Sequence, residues 1–165
     1  MSALAWIDAA VLAVHLVSAV LFVGGSLFFW LVVEPASYAL GLDEAARTAV
    51  IGRLARRFGR ITTPLLVILV GTGLYNASWY LPSVGALTTT VPGEVLLAKS
   101  VVVAGLIVLI YVHGAYYGPR IVRLARERRY DELRALRRRS RAVSFANLAL
   151  MLVVLVLAVV LQSVG

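Results

Sequence analysis

Two imidazoles and one ammonium group lie inside apolar stretches of this chain. His15 and His113 are its only histidines and Lys99 its only lysine. Ionisable side chains are costly to place in hydrocarbon, so residues of these types are functional candidates by default. A neutral imidazole ligates haem iron or copper through a ring nitrogen. An ammonium group neutralises a carboxylate, such as a haem propionate, that would otherwise be buried unpaired. The chain has no cysteine, which excludes thiolate metal sites, iron–sulfur clusters, disulfides and covalent c-type haem.

Spacing places these groups on faces and at depths. Asp8, His15, Ser18, Phe22, Gly25, Ser26 and Phe29 recur at three- and four-residue steps on one helical face, which should meet other helices. Leu16, Val17, Val20 and Leu27 lie opposite and suit lipid. Lys99, Leu106, His113 and Arg120 form a second stripe at seven-residue spacing. His15 lies nine residues beyond Trp6, about 13 Å along a helix. His113 lies just before Tyr116 and Tyr117, so the two imidazoles should differ in depth by about 10–15 Å. One haem iron clasped from both sides is hard to reconcile with that gap. The pattern predicts an outer layer with His15, Lys99, Asp8, Ser18, Tyr75 and Asn76, and an inner layer with His113, Asn147, Ser144, Thr62, Thr63 and arginines.

The elements that must hold these groups are four apolar runs: Leu4–Val33, Ile61–Leu81, Val95–Tyr117 and Ala142–Val164. Each has the roughly 20 residues needed to cross a hydrocarbon core ~30 Å thick. With 61% hydrophobic and 15% charged residues, the chain reads as all-α, an integral-membrane antiparallel four-helix bundle. A single transmembrane domain over 1–165 is expected. The first run lacks a basic flank and exceeds a signal peptide's apolar core, so it reads as a retained span.

Basic segments link the spans. Residues 34–60 carry five arginines and 118–141 carry ten, whereas 82–94 carry none. The positive-inside rule therefore predicts both basic loops in the cytoplasm and both termini outside, in a multi-pass plasma-membrane protein. The net charge of +8 is first a topology signal, with anionic lipids at the basic loops as expected partners and no nucleic acid. Trp6, Trp30, Trp79, Tyr80, Tyr116 and Tyr117 mark the interfaces. Pro35 and Pro119 are expected to stop spans one and three, and Pro82 span two. Ile121, Leu124, Leu133 and Leu136 recur at near-helical spacing, which suggests an amphipathic extension on the inner leaflet. Gly71-Thr72-Gly73 reads as a close helix contact, and the small residues of spans one and two would also permit a homo-oligomer.

Three stretches, HLVSAVLFVGGSLFFWLVV, RRFGRITTPLLVILVGTGLYNA and GEVLLAKSVVVAGLIVL, resemble the copper-resistance D (CopD) membrane family. The shared features are a His ahead of Gly-Gly, an Arg-Phe before a helix ending in Thr-Gly, and a lone Lys early in the next helix. The third and fourth runs also resemble HemJ-type protoporphyrinogen oxidases. They do so through Lys99, Tyr111-Val112-His113, Gly118, Arg120 and Asn147. Those oxidases bind haem b and require membrane histidines, which implies His15 and His113 as ligand positions here. Two oxidase features are absent: the chain reads Glu34-Pro35-Ala36 where another His is usual, and Leu148-Ala149-Leu150 after Asn147.

Together these readings lead to the expectation of a small b-type cytochrome. His15 or His113 would ligate haem iron, Lys99 or an inner arginine such as Arg120 would hold propionates, and Asn147 would lie beside the cofactor. Its electron partner would be a quinol or a redox protein. Two alternatives stand beside it: a HemJ-like oxidoreductase acting on a porphyrinogen, and a CopD-like copper-handling protein with His15 and His113 as stepping stones.

Overall fold

A computed structural model describes residues 2–81 and 83–164, and among them there are helices and turns but no strand. Four long helices dominate: α1 (Ala3–Ala36), α2 (Glu44–Ala77), α3 (Val91–Arg126) and α4 (Tyr130–Val164), each long and apolar enough to cross a membrane. Local chemistry sets their starts. The Ser2 hydroxyl accepts from the Ala5 N–H at 3.3 Å and the Asp43 carboxylate from the Ala46 N–H at 2.7 Å. Thr90 accepts from the Gly93 N–H at 3.2 Å, with Pro92 in the first turn where its missing N–H costs nothing. The Pro82 stop falls outside the described residues.

The bundle is built from two hairpins. α1 packs along α2, and α3 packs along α4. They join through one buried cluster, Phe22 of α1, Leu106 of α3 and Met151 of α4, with Leu65, Leu66 and Leu69 of α2 packed against it. This cluster is the dry middle of the molecule. Most remaining large apolar side chains point outward, as a lipid-facing surface requires.

The helices run well beyond the apolar segments at the basic end. Residues 44–60 and 118–141, read from the sequence as loops, are largely helical. Pro119 stops nothing, because α3 continues through it to Arg126; Pro35 precedes the end of α1 by one residue. Each proline follows a five-residue π-helical segment, Phe29–Val33 or His113–Tyr117. In these segments Glu34 N–H reaches the Phe29 carbonyl and Gly118 N–H the His113 carbonyl. The widened turn re-pairs the backbone just before a residue that has no N–H to give.

The amphipathic extension is also placed differently from the expectation. Leu124 and Ala125 of α3 bury themselves against Leu133 of α4, with Ile121 and Leu136 around them. The apolar stripe is covered by its own second half. The three-residue turn Glu127–Arg129 makes this possible, with Arg128 at φ 56°. Arg137 of α4 reaches back to Glu44 and Thr48 of α2, while Arg47 pairs with Glu44 and stacks 3.8 Å over the Tyr38 ring.

Candidate functional site

The polar layer nearer the termini, predicted as the outer one, forms between α1 and α2. His15 Nδ1 lies 2.7 Å from the Thr72 hydroxyl oxygen. That hydroxyl has one hydrogen, and it donates to the Ile68 carbonyl at 2.6 Å. With that hydrogen directed at Ile68, the Thr72 oxygen is placed to accept from His15 in its Nδ1–H tautomer. Nε2 is left with its lone pair available. A ring nitrogen tied by its N–H while the other stays free is how metal-ligating histidines are oriented.

Gly73 makes this approach possible. A Cβ there would lie 3.3 Å from His15 Cε1, closer than the ring tolerates without shifting. One turn outward, Tyr75 donates to Asp8 at 2.8 Å, closing the layer toward the termini. Asn76 follows Thr72 by one helical turn, and its side-chain Oδ1 is buried with no hydrogen-bond partner among the described residues. Lys99, from the other hairpin, is near enough for its charge to act on the His15 ring. Of the predicted outer grouping, Asp8 and Tyr75 are hydrogen-bonded and Lys99 is within electrostatic reach of His15, whereas no hydrogen bond joins Ser18 or Asn76 to them among the described residues. Thr72 and Gly73 complete the surroundings of His15.

The inner layer forms between α3 and α4. His113 opens the π-helical segment, and its Nδ1 lies 3.5 Å from the Ser144 hydroxyl, at the outer limit of a hydrogen bond. Asn147, one turn along α4, again has a buried Oδ1 without a partner. The Glu34 carboxylate, from α1, acts electrostatically on His113 and is itself held by Arg141 at 3.2 Å. A groove of about 610 Å³ opens beside Glu34, Trp30, Tyr38 and Arg141. Thr62 and Thr63 spend their hydroxyls on their own helix, at the Phe58 and Gly59 carbonyls. Arg120 stacks 4.0 Å over the exposed Tyr116 ring and lines a different groove.

Asn76 and Asn147 carry the only two buried side-chain atoms left unsatisfied among the described residues, and each lies in a histidine layer. An orphaned buried acceptor costs about 1–3 kcal/mol, so its recurrence in both layers asks for an explanation. No group of three or more His, Asp or Glu side chains converges anywhere among the described residues. Each layer offers one imidazole and one amide oxygen.

Depth separates the layers more than the sequence suggested. His15 lies seven residues outward of Phe22, and His113 seven inward of Leu106, while Phe22 and Leu106 share one buried cluster. At 1.5 Å per residue the imidazoles stand about 20 Å apart along the bundle. A single haem cannot take both as axial ligands. The register is set by the Phe22–Leu106–Met151 layer, whereas the sequence estimate relied on interfacial aromatics.

Four helices long and apolar enough to cross a membrane define a small helical membrane protein. Residues 52–161 match the family described as copper resistance protein D (CopD). The match covers most of α2, all of α3 and most of α4, and the chain belongs to that family. No curated protein and no solved structure gives a significant match.

Proposed function

We propose that this protein handles copper within the membrane, with His15 and His113 as two separate binding stations and copper as the cargo. The observation that carries the reading is the 2.7 Å contact of His15 Nδ1 with a Thr72 hydroxyl that itself donates to Ile68, an arrangement that suits the Nδ1–H tautomer and leaves Nε2 to offer its lone pair. Imidazole suits copper, and one imidazole with one amide oxygen makes a site weak enough to release it. Between the stations lies Met151, 3% exposed, whose thioether is the soft donor of the bundle's middle. By the arginine distribution the His113 end faces the cytoplasm and its anionic leaflet.

A titration against a chromophoric copper chelator tests the stations. Wild-type protein is expected to bind two copper ions, and His15→Ala and His113→Ala one each. Replacing Lys99 by leucine should tighten the His15 station severalfold, because the ammonium group opposes a second cation nearby. A stoichiometry that neither histidine variant changes would overturn the reading.

Lys99 also favours a second reading, a b-type cytochrome. An axial imidazole with a cation at the same depth suits haem b, whose propionate Lys99 would pair. The residues fit such a group only with His15 or His113 as the sole histidine ligand. Bound there, haem would supply one-electron chemistry, and the surrounding apolar residues would keep water from it. A Soret band that shifts on dithionite reduction and is lost in His15→Ala would move the assignment to this reading.

A further inference from the structure

We infer that the groove between the basic ends of α3 and α4 binds the phosphate of an anionic membrane lipid. This rests on the arginines, independently of copper. The groove holds about 300 Å³ and is lined by Arg120, Arg123, Arg129 and Arg139, with Leu124 and Leu136 among its apolar walls. Its one carboxylate, Glu132, is already taken by two hydrogen bonds from Arg129, each 2.7 Å. The remaining three guanidinium groups face no equivalent partner among the described residues. Arg123 approaches Glu127 only at 3.9 Å, with both side chains well exposed.

Position favours a lipid over a soluble anion. Arg120 lies three residues beyond Tyr117, and Arg139 lies three residues before Ala142, so both stand where the apolar spans give way to headgroups. Stacking on Tyr116 at 4.0 Å braces Arg120 at that level. The Leu133-centred packing keeps the two helices together and so keeps the groove in shape. A phosphodiester entering from the leaflet would meet Arg120 and Arg139 first, with room for paired guanidinium hydrogen bonds. Its glycerol would then rest near Leu124 and Leu136.

The test uses full-length protein in nanodiscs of equal phosphatidylglycerol and phosphatidylcholine, released and weighed by native mass spectrometry. Wild-type protein is expected to retain phosphatidylglycerol, and the double variant Arg120→Gln/Arg139→Gln to retain at least fivefold less. The pair Arg53→Gln/Arg57→Gln, which removes the same charge from exposed α2 positions outside the groove, should leave retention unchanged. Arg120→Lys/Arg139→Lys keeps the charge and should restore part of the binding. Equal losses in both glutamine pairs would reduce the effect to bulk charge and overturn the site. Release of the lipid by millimolar inorganic phosphate would make the ligand a soluble anion and overturn the lipid assignment.

Discussion

Gly93→Ala is expected to yield little folded protein, although it adds one methyl group. Gly93 is buried at the start of α3, under the helical turn Ala86–Thr89. A Cβ built there would lie 1.9 Å from the Ala86 carbonyl oxygen and 2.8 Å from Leu87 Cα. Those are backbone atoms, so no side-chain rotation relieves the contact. Either the turn or the first turn of α3 must move, with loss of the Thr90 cap. Overpacking usually costs about 1–3 kcal/mol, and a rigid backbone contact belongs at or above the upper end. Size-exclusion profiles and thermal melts in detergent measure the effect, with Gly24→Ala as control, since nothing lies within 4 Å of a Cβ there. Equal melting of the two variants would mean that the turn does not sit on α3.

Leu133→Ala is expected to destabilise the basic end by about 2–5 kcal/mol, the range for emptying a well-packed leucine site. Leu133 is fully buried, with 0% exposure, between Leu124 and Ala125. The damage should be local, because the Phe22–Leu106–Met151 layer is a separate cluster. Hydrogen exchange would show it: amides around 124–136 should lose protection while those around 100–110 keep theirs. Uniform protection in wild type and variant would contradict the packed hairpin.

The spans were legible because 20-residue apolar runs have few other meanings. What lay beyond them was not. The helical extensions are rich in arginine, and polarity on a helix outside hydrocarbon resembles polarity in a loop. The stripe Ile121, Leu124, Leu133 and Leu136 was readable, but its partner was not. The turn that folds it back depends on Arg128 at positive φ, where a glycine would have been the usual signal. The prolines signalled an interruption, and the π-helical segments absorbed it without ending α3.

The outer layer shows the same division. Seven-residue spacing from a common buried layer puts His15 and Lys99 at one depth, and both were recognisable as intramembrane ionisable groups. Thr72 was not recognisable as the His15 partner, since a single sequence does not state which helices touch. Gly73 was the available clue: a small residue in a span marks a close approach, and the approaching group is the imidazole. Glu34 carried no such signal, and only the fold brings its carboxylate near His113.

The most direct test is copper uptake into proteoliposomes, comparing wild-type protein with His15→Ala and with Leu16→Ala. Leu16 adjoins His15 in sequence but is 56% exposed on the lipid-facing side. Uptake by wild type and Leu16→Ala, with His15→Ala at least tenfold slower and near protein-free vesicles, is the predicted result. Uptake by His15→Ala at the wild-type rate, or none by wild type, would contradict the proposal that copper passes through the His15 station.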